Sequence, residues 1–352
     1  MFYKTFVRPL LFRFDPEKVH RFVSRSLQFI FSVPGVAPVI RKFTVVKDAR
    51  LEKEVFGLKF KNPVGVAAGF DKEAVLFEAL GHLGFGFVEV GAVTPNGQPG
   101  NEKPRLFRLP ADGALINRMG FNNPGMEAVR RRLAKRRKSS LVVGVNLGKN
   151  TLTPNERAAD DYLRLFEGLF DVADYFVVNV SCPNITDLHE LQDKEALKDI
   201  LQRLQAVNRK KPHPKPVLLK VSPDLNLHQL DEVIGLVKET GIAGVVAVNT
   251  TVGRNGLKSP ENQTAAMGRG GLSGKPLRKR ALEVVRYLSE KSGKAFPIIG
   301  TGGIFTPEDA LEMLEAGADL VQVYTGFIYE GPFLAKRINR AILKKQASFS
   351  EK

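Results

Sequence analysis

The chain has 352 residues, 43% hydrophobic and 26% charged, a balance that suits a folded protein with a sizeable core and excludes a disordered one. One cysteine, Cys182, and five histidines exclude an internal disulfide, a cysteine-ligated iron–sulfur cluster and a cysteine-rich zinc site, so no metal is expected. Lysine and arginine number 53 against 37 acidic residues, a formal charge of +16, which predicts an anionic partner: nucleic acid, a phosphate-bearing cofactor, an acidic substrate or an anionic membrane surface.

The first fifty residues stand apart, with ten Lys or Arg, three Asp or Glu and eight Phe. Asp15-Pro16 reads as a helix cap followed by proline in the first turn. Beyond it Val19, Phe22, Val23, Leu27 and Ile30 share one face, and Lys18, Arg21, Arg25 and Gln28 the other. Periodicity alone favours a helix packed on the main domain with its basic face solvated. The same pattern also fits a helix lying in a membrane interface. No run reaches the ~18 consecutive apolar residues of a spanning helix. The start lacks the apolar core and cleavage site of a signal peptide, so retention in the cytoplasm is expected.

From residue 64 onward eight short apolar runs recur, at 64–69, 87–93, 142–148, 175–181, 216–221, 244–250, 296–301 and 320–325, each followed by a helical stretch. Near-continuous β-branched runs suit strands buried on both faces. Eight of them alternating with helices predict an α/β protein, a (β/α)8 TIM barrel, preceded by a small helical extension. The expected division is 1–45 for the extension and 46–352 for the barrel. Barrel chemistry gathers at the C-terminal strand ends, and here those ends carry Asp71-Lys72, Asn146, Asn179, Lys220, Asn249-Thr250 and Tyr324-Thr325. Polar groups at buried strand ends need partners, which points to a ligand. Two insertions on that face, 94–122 and 251–275, are long enough to be lids.

The glycine clusters at 268–274 and 300–303 let backbone N–H groups approach a phosphate. Cys182, just past the fourth strand, reads as a general base or acid more than as a buried structural thiol, and no histidine adjoins it. Lys72 and Lys220 suit a substrate carboxylate and the negative charge developing on a cofactor. The basic run Arg130–Lys138 has no interleaved aromatics and reads as a solvated face, so no nucleic-acid partner is expected.

Four segments, Ala68-Gly69-Phe70-Asp71-Lys72, Asn117-Arg118-Met119-Gly120-Phe121, Asn179-Val180-Ser181-Cys182-Pro183-Asn184 and Gly271-Leu272-Ser273-Gly274, resemble dihydroorotate dehydrogenase, in the same order and over essentially the whole chain. The basic N-terminal helices resemble those of the membrane-associated, quinone-dependent class 2 enzymes. The resemblance implies FMN at the barrel mouth and oxidation of (S)-dihydroorotate to orotate in pyrimidine synthesis. It implies FMN contacts from Ala68, Gly69, Phe70, Asp71, Lys72, Ala92, Asn146, Asn179, Lys220, Val248, Gly274, Gly303, Tyr324 and Thr325. Substrate contacts are implied for Lys72, Asn117, Arg118, Met119, Gly120, Phe121, Asn179, Asn184, Asn249 and Thr250. Cys182 takes the C5 proton in this reading, and the C6 hydride passes to the flavin. A quinone enters between the N-terminal helices, near His20, Arg108 and Tyr324, which places the chain peripherally on the cytoplasmic face of the cell membrane.

Three positions depart from the family pattern. Cys182 stands where class 2 enzymes have serine, and cysteine there is typical of class 1. Ala92 replaces a hydroxyl residue, and Val248 replaces a threonine that normally contacts FMN. The cysteine leaves open a class 1-like enzyme using fumarate or NAD. An FMN-dependent tRNA dihydrouridine synthase is a further alternative, against which the chain lacks a basic C-terminal domain.

Overall fold

The strands of the barrel are short, apolar and almost wholly buried, because each has neighbours on both edges, helices outside and packed side chains inside. The computed structural model describes residues 2–136, 141–180 and 194–350. In chain order the barrel strands are β1 (Val64–Val66), β2 (Phe87–Val93), β3 (Val142–Leu147), β4 (Tyr175–Val178), β5 (Val217–Val221), β6 (Gly244–Ala247), β7 (Ile298–Thr301) and β8 (Leu320–Val323). Each pairs in parallel with the next, and β8 closes the ring against β1 through Val321 and Val64. This is the expected (β/α)8 barrel, with all eight strands inside the predicted runs. Four strands stop two or three residues before the predicted ends, at Val66, Val178, Ala247 and Val323. The residues beyond them leave the ladder and build the mouth.

The opposite end is plugged by aromatic rings. Phe60 comes from a hairpin of Lys53–Val55 and Leu58–Phe60 and meets Phe87 edge-on at 5.3 Å. Tyr175 fills the layer beside it, which is why position 144 is glycine. A Cβ there would lie 2.1 Å from the tyrosine ring.

The two insertions fold together. Leu106–Leu109 and Ala114–Asn117 from the first pair with Gly271–Gly274 from the second, making one antiparallel sheet of three strands over the mouth. Of the basic run, Arg130, Arg131 and Lys135 are exposed, while Arg136 forms two bonds to Asp174 (2.7 and 2.8 Å) and Arg132 bonds the Glu73 carbonyl.

Before the barrel come two short helical turns, Tyr3–Val7 and Arg8–Leu11, then α1 (Pro16–Ser32) and α2 (Val36–Thr44). Asp15 caps α1 as predicted, accepting from the Lys18 amide at 2.8 Å. The extension leans on the mouth sheet. Arg105 grips Glu17 with two bonds (2.8 and 3.1 Å), and Arg108 donates to the Phe14 and Phe12 carbonyls (2.6 and 3.4 Å).

The helix does pack on the main domain, but with only part of its apolar face. Leu27 and Phe31 pack against the core, whereas Phe22 is 64% and Phe29 73% exposed, and Ile30 is exposed too. The helix rests on the barrel along a narrow stripe, and none of the described residues covers the rest of its apolar face. Among the described residues no helix is long and apolar enough to cross a membrane, and α1 and α2 are bent by 113° relative to each other.

Candidate active site

The strand ends converge on one cavity of about 1030 Å³, counting its open mouth. Its floor is a network of side chains from different strands. Glu89 of β2, fully buried, accepts from the Asn146 amide on β3 (2.7 Å) and from the Gln322 amide on β8 (2.8 Å). Asn146 in turn accepts from Asn179 just past β4 (2.9 Å), and Asn179 accepts from Asn249 just past β6 (3.4 Å). The Lys220 ammonium, on β5 and 5% exposed, lies 4.0 Å from the Glu89 carboxylate. A buried amide or charge without partners costs about 1–3 kcal/mol or more, so this network secures a polar floor inside an apolar barrel.

One wall is backbone. Gly303 adopts φ 73° after β7, and a Cβ there would strike the backbone of Arg278 at 2.6 Å. Only glycine fits. The helix that follows, Pro307–Glu315, opens with a capping box, Thr306 and Asp309 bonding each other's backbone. Ser273 and Thr325 share a hydrogen bond of 2.8 Å across the cavity edge, and Tyr324 donates to the Gly69 carbonyl (3.3 Å). Backbone N–H groups and hydroxyls gathered after strands seven and eight suit a phosphate.

The same cavity is lined by Lys72, Asn117, Met119, Gly120 and Phe121, and by Asn249 and Thr250. Loss of water pulls the Lys72 ammonium down to about 8, with Arg105 adding repulsion and Glu17 and Glu73 opposing it. Ala68, Ala92, Val248 and Gly274 complete the lining. The two departures at 92 and 248 therefore do face the cavity, as apolar surface.

Three expected site residues do not line it. Phe70 turns outward and packs its ring on Tyr324 (5.7 Å), Phe327 (5.3 Å) and His20 (5.2 Å). Asp71 folds its carboxylate back onto the Val75 and Leu76 amides (2.9 and 2.8 Å), and burial raises it to about 6 against those bonds. Arg118 bonds the Pro104 carbonyl (2.9 and 3.2 Å) and lies over the Phe107 ring. Ser181, Cys182 and Asn184 lie outside the described residues.

Phe70 is thus the partition between cavity and extension. His20 on α1 touches its outer side and Tyr324 its inner side. Burial, then the charge of Lys72, pushes the His20 imidazole down to about 4, so it is neutral near pH 7. Arg108 is occupied with the carbonyls of the extension and the Phe12 ring at 4.5 Å. It ties the helices to the mouth sheet.

Sequence reasoning passed over Glu89, Gln322 and Ser273. Glu89 did leave a signal, as a lone acid inside the run Phe87–Val93 that is otherwise apolar or glycine.

A parallel barrel with a cationic, donor-rich mouth and a glycine wall after strand seven defines an enzyme that takes an anionic, oxygen-rich ligand there. The comparisons with known proteins make this specific. A family model for dihydroorotate dehydrogenase matches residues 50–345. The dihydroorotate dehydrogenase (quinone) of Christiangramia forsetii is 60% identical over 343 residues, covering 97% of this chain and 99% of its own. That of Chloroflexus aurantiacus is 48% identical over 351 residues, covering 97% and 96%. Among solved structures, the DHODH of Eimeria tenella in complex with ferulenol superposes with a TM-score of 0.82 at 34% identity, covering 95% of this chain and 93% of its own. The chain belongs to the dihydroorotate dehydrogenase family, in its quinone-dependent class.

Proposed function

We propose that this chain oxidises (S)-dihydroorotate to orotate on FMN held at the barrel mouth and passes the electrons to a membrane quinone, as a step toward UMP. The observation that carries the reading is the Phe70 partition, which joins a polar, cationic cavity to an apolar helical extension within two ring contacts.

The residues present fit FMN. Gly303, Gly274 and Thr325 offer backbone and hydroxyl donors for its phosphate, while Ala68, Gly69, Ala92, Val248 and Tyr324 give a mixed wall for a flat ring. Asn146, Asn179 and Lys220 supply donors and a positive charge where electrons arrive. Bound there, FMN supplies the two-electron acceptor for the hydride leaving C6.

The chain's own groups do the rest. Lys72 pairs with the substrate carboxylate, and Asn117, Asn249, Thr250 and the backbone of Met119–Phe121 orient the ring. Asn184 belongs to the same substrate set by its motif. Cys182 takes the C5 proton, so that with the C6 hydride gone the C5–C6 double bond forms. A thiol has a reference pKa near ~8.5 and is an easier base than an alcohol.

The extension supports the acceptor. Of fourteen large hydrophobic side chains exposed among the described residues, ten fall in residues 2–43, including Phe2, Phe6, Phe22, Phe29 and Phe43. Interleaved with Arg21, Arg25, Arg41 and Lys42, they suit the interface of an anionic membrane, which the chain meets peripherally on the cytoplasmic side. His20, Arg108 and Tyr324 flank the route by which a quinone reaches the mouth.

The test is an acceptor comparison on the purified enzyme, with dihydroorotate as donor. Rapid turnover with ubiquinone or menaquinone analogues, and none with fumarate or NAD, is expected. Turnover with fumarate or NAD would contradict the proposed acceptor.

A further inference from the structure

The hydrogen bonds on the cavity floor all run one way. Asn249 donates to Asn179, Asn179 to Asn146, and Asn146 to Oε1 of Glu89. The far end is fixed, because a carboxylate only accepts. Its second oxygen, Oε2, accepts from Nε2 of Gln322. Glu89, Asn146 and Gln322 have no exposed surface, so water does not compete for these bonds. An amide is nearly symmetric in shape, and packing alone does not choose between its oxygen and its nitrogen. The acceptor at the end of the chain does.

We propose that Glu89 is a positioning residue: its carboxylate sets the direction of the amide chain, and thereby gives the cavity wall hydrogen-bond donors that select a ligand by its oxygens. Each side-chain NH2 carries two hydrogens. The chain uses one on Asn179, which lines the cavity and keeps some exposed surface. Its second donor matches a carbonyl or carboxylate oxygen. A dihydropyrimidine carboxylate presents such oxygens; a base with an exocyclic amine at that edge presents a donor and is rejected. The inference rests on reading the mouth as the substrate site.

A single substitution and an exchange separate direction from mere bulk. In Glu89→Gln one acceptor oxygen faces two donating amides, so the direction is no longer set. In the exchange E89Q/Q322E the carboxylate at 322 draws the amide nitrogen at 89 toward itself. The amide oxygen at 89 is then left for Asn146, and the original direction returns.

The experiment compares holoenzyme of the wild type, E89Q, E89Q/Q322E and Asn249→Ala. Orotate affinity is measured by calorimetry, with thermal midpoint, KM and kcat alongside. E89Q is expected to weaken orotate by about tenfold or more and to raise KM more than it lowers kcat, and the exchange to restore affinity to within about threefold. Unchanged orotate binding in E89Q overturns the proposal. So does an exchange variant that folds yet binds no better than E89Q. Should E89Q fail to fold, the exchange decides alone: affinity within about threefold of wild type supports the role, and a loss of about tenfold overturns it. Asn249→Ala keeps the two ideas apart. Weak binding there with normal binding in E89Q removes only the role of Glu89, whereas normal binding in Asn249→Ala removes the site reading itself.

Discussion

Lys72 is where side-chain chemistry makes a pH prediction. Burial holds its ammonium at about 8, so the charge is present below that pH and lost above it. Orotate, an anion, is therefore expected to bind with constant affinity below pH 8. Above it, affinity falls by up to about tenfold per unit. Titration calorimetry across pH 6.5–9.5 reads this directly, and Lys72→Met should flatten the profile. A flat profile in the wild type would mean that the carboxylate does not rest on Lys72. The same residues show what a sequence conceals. Lys72, Asn146, Asn179 and Lys220 could be picked out because polar groups at the ends of apolar strands are unusual. Phe70, Asp71 and Arg118 share motifs with them, but beyond the strand ends the chain turns, and motif membership does not fix which way each side chain points. Glu89 escaped because its partners, at 146, 220 and 322, come from three other strands.

Whole strands were far easier to read. A strand buried on both faces must be apolar almost throughout, so eight such runs announced eight strands. Their early ends were hidden, because Ala67 to Gly69 and Val248 to Thr250 are as compatible with strand as with loop. Packing between strands gives a stability prediction. Gly144→Val in β3 drives a branched side chain into the Tyr175 ring of β4, and should destabilise by at least about 1–3 kcal/mol in denaturant unfolding. An unchanged midpoint would mean that the ring has room to move. In α1 the apolar face was recognisable, but how much of it the barrel covers was not, since coverage depends on where Arg105 and Arg108 hold the helix. The uncovered part carries the next prediction. Phe22→Glu with Phe29→Glu should reduce sedimentation with anionic vesicles and raise the quinone KM, while dihydroorotate oxidation with a soluble dye stays unchanged. Equal vesicle binding would contradict the role given to that surface.

The molecule brings two environments together across one aromatic wall. The barrel gives a rigid, polar mouth. The two insertions roof it with a shared sheet, and that sheet anchors the helices that expose phenylalanine to the surroundings. The proposed mechanism puts reduction and reoxidation at opposite sides of Phe70, which predicts that the two half-reactions can be separated. Anaerobic stopped-flow on the full chain and on residues 46–352 tests this. Dihydroorotate should bleach the flavin at similar rates in both, and reoxidation by a quinone analogue should be fast only in the full chain. Equally fast reoxidation of the shortened chain would show that the quinone does not need the helices, and the account of the extension would fall.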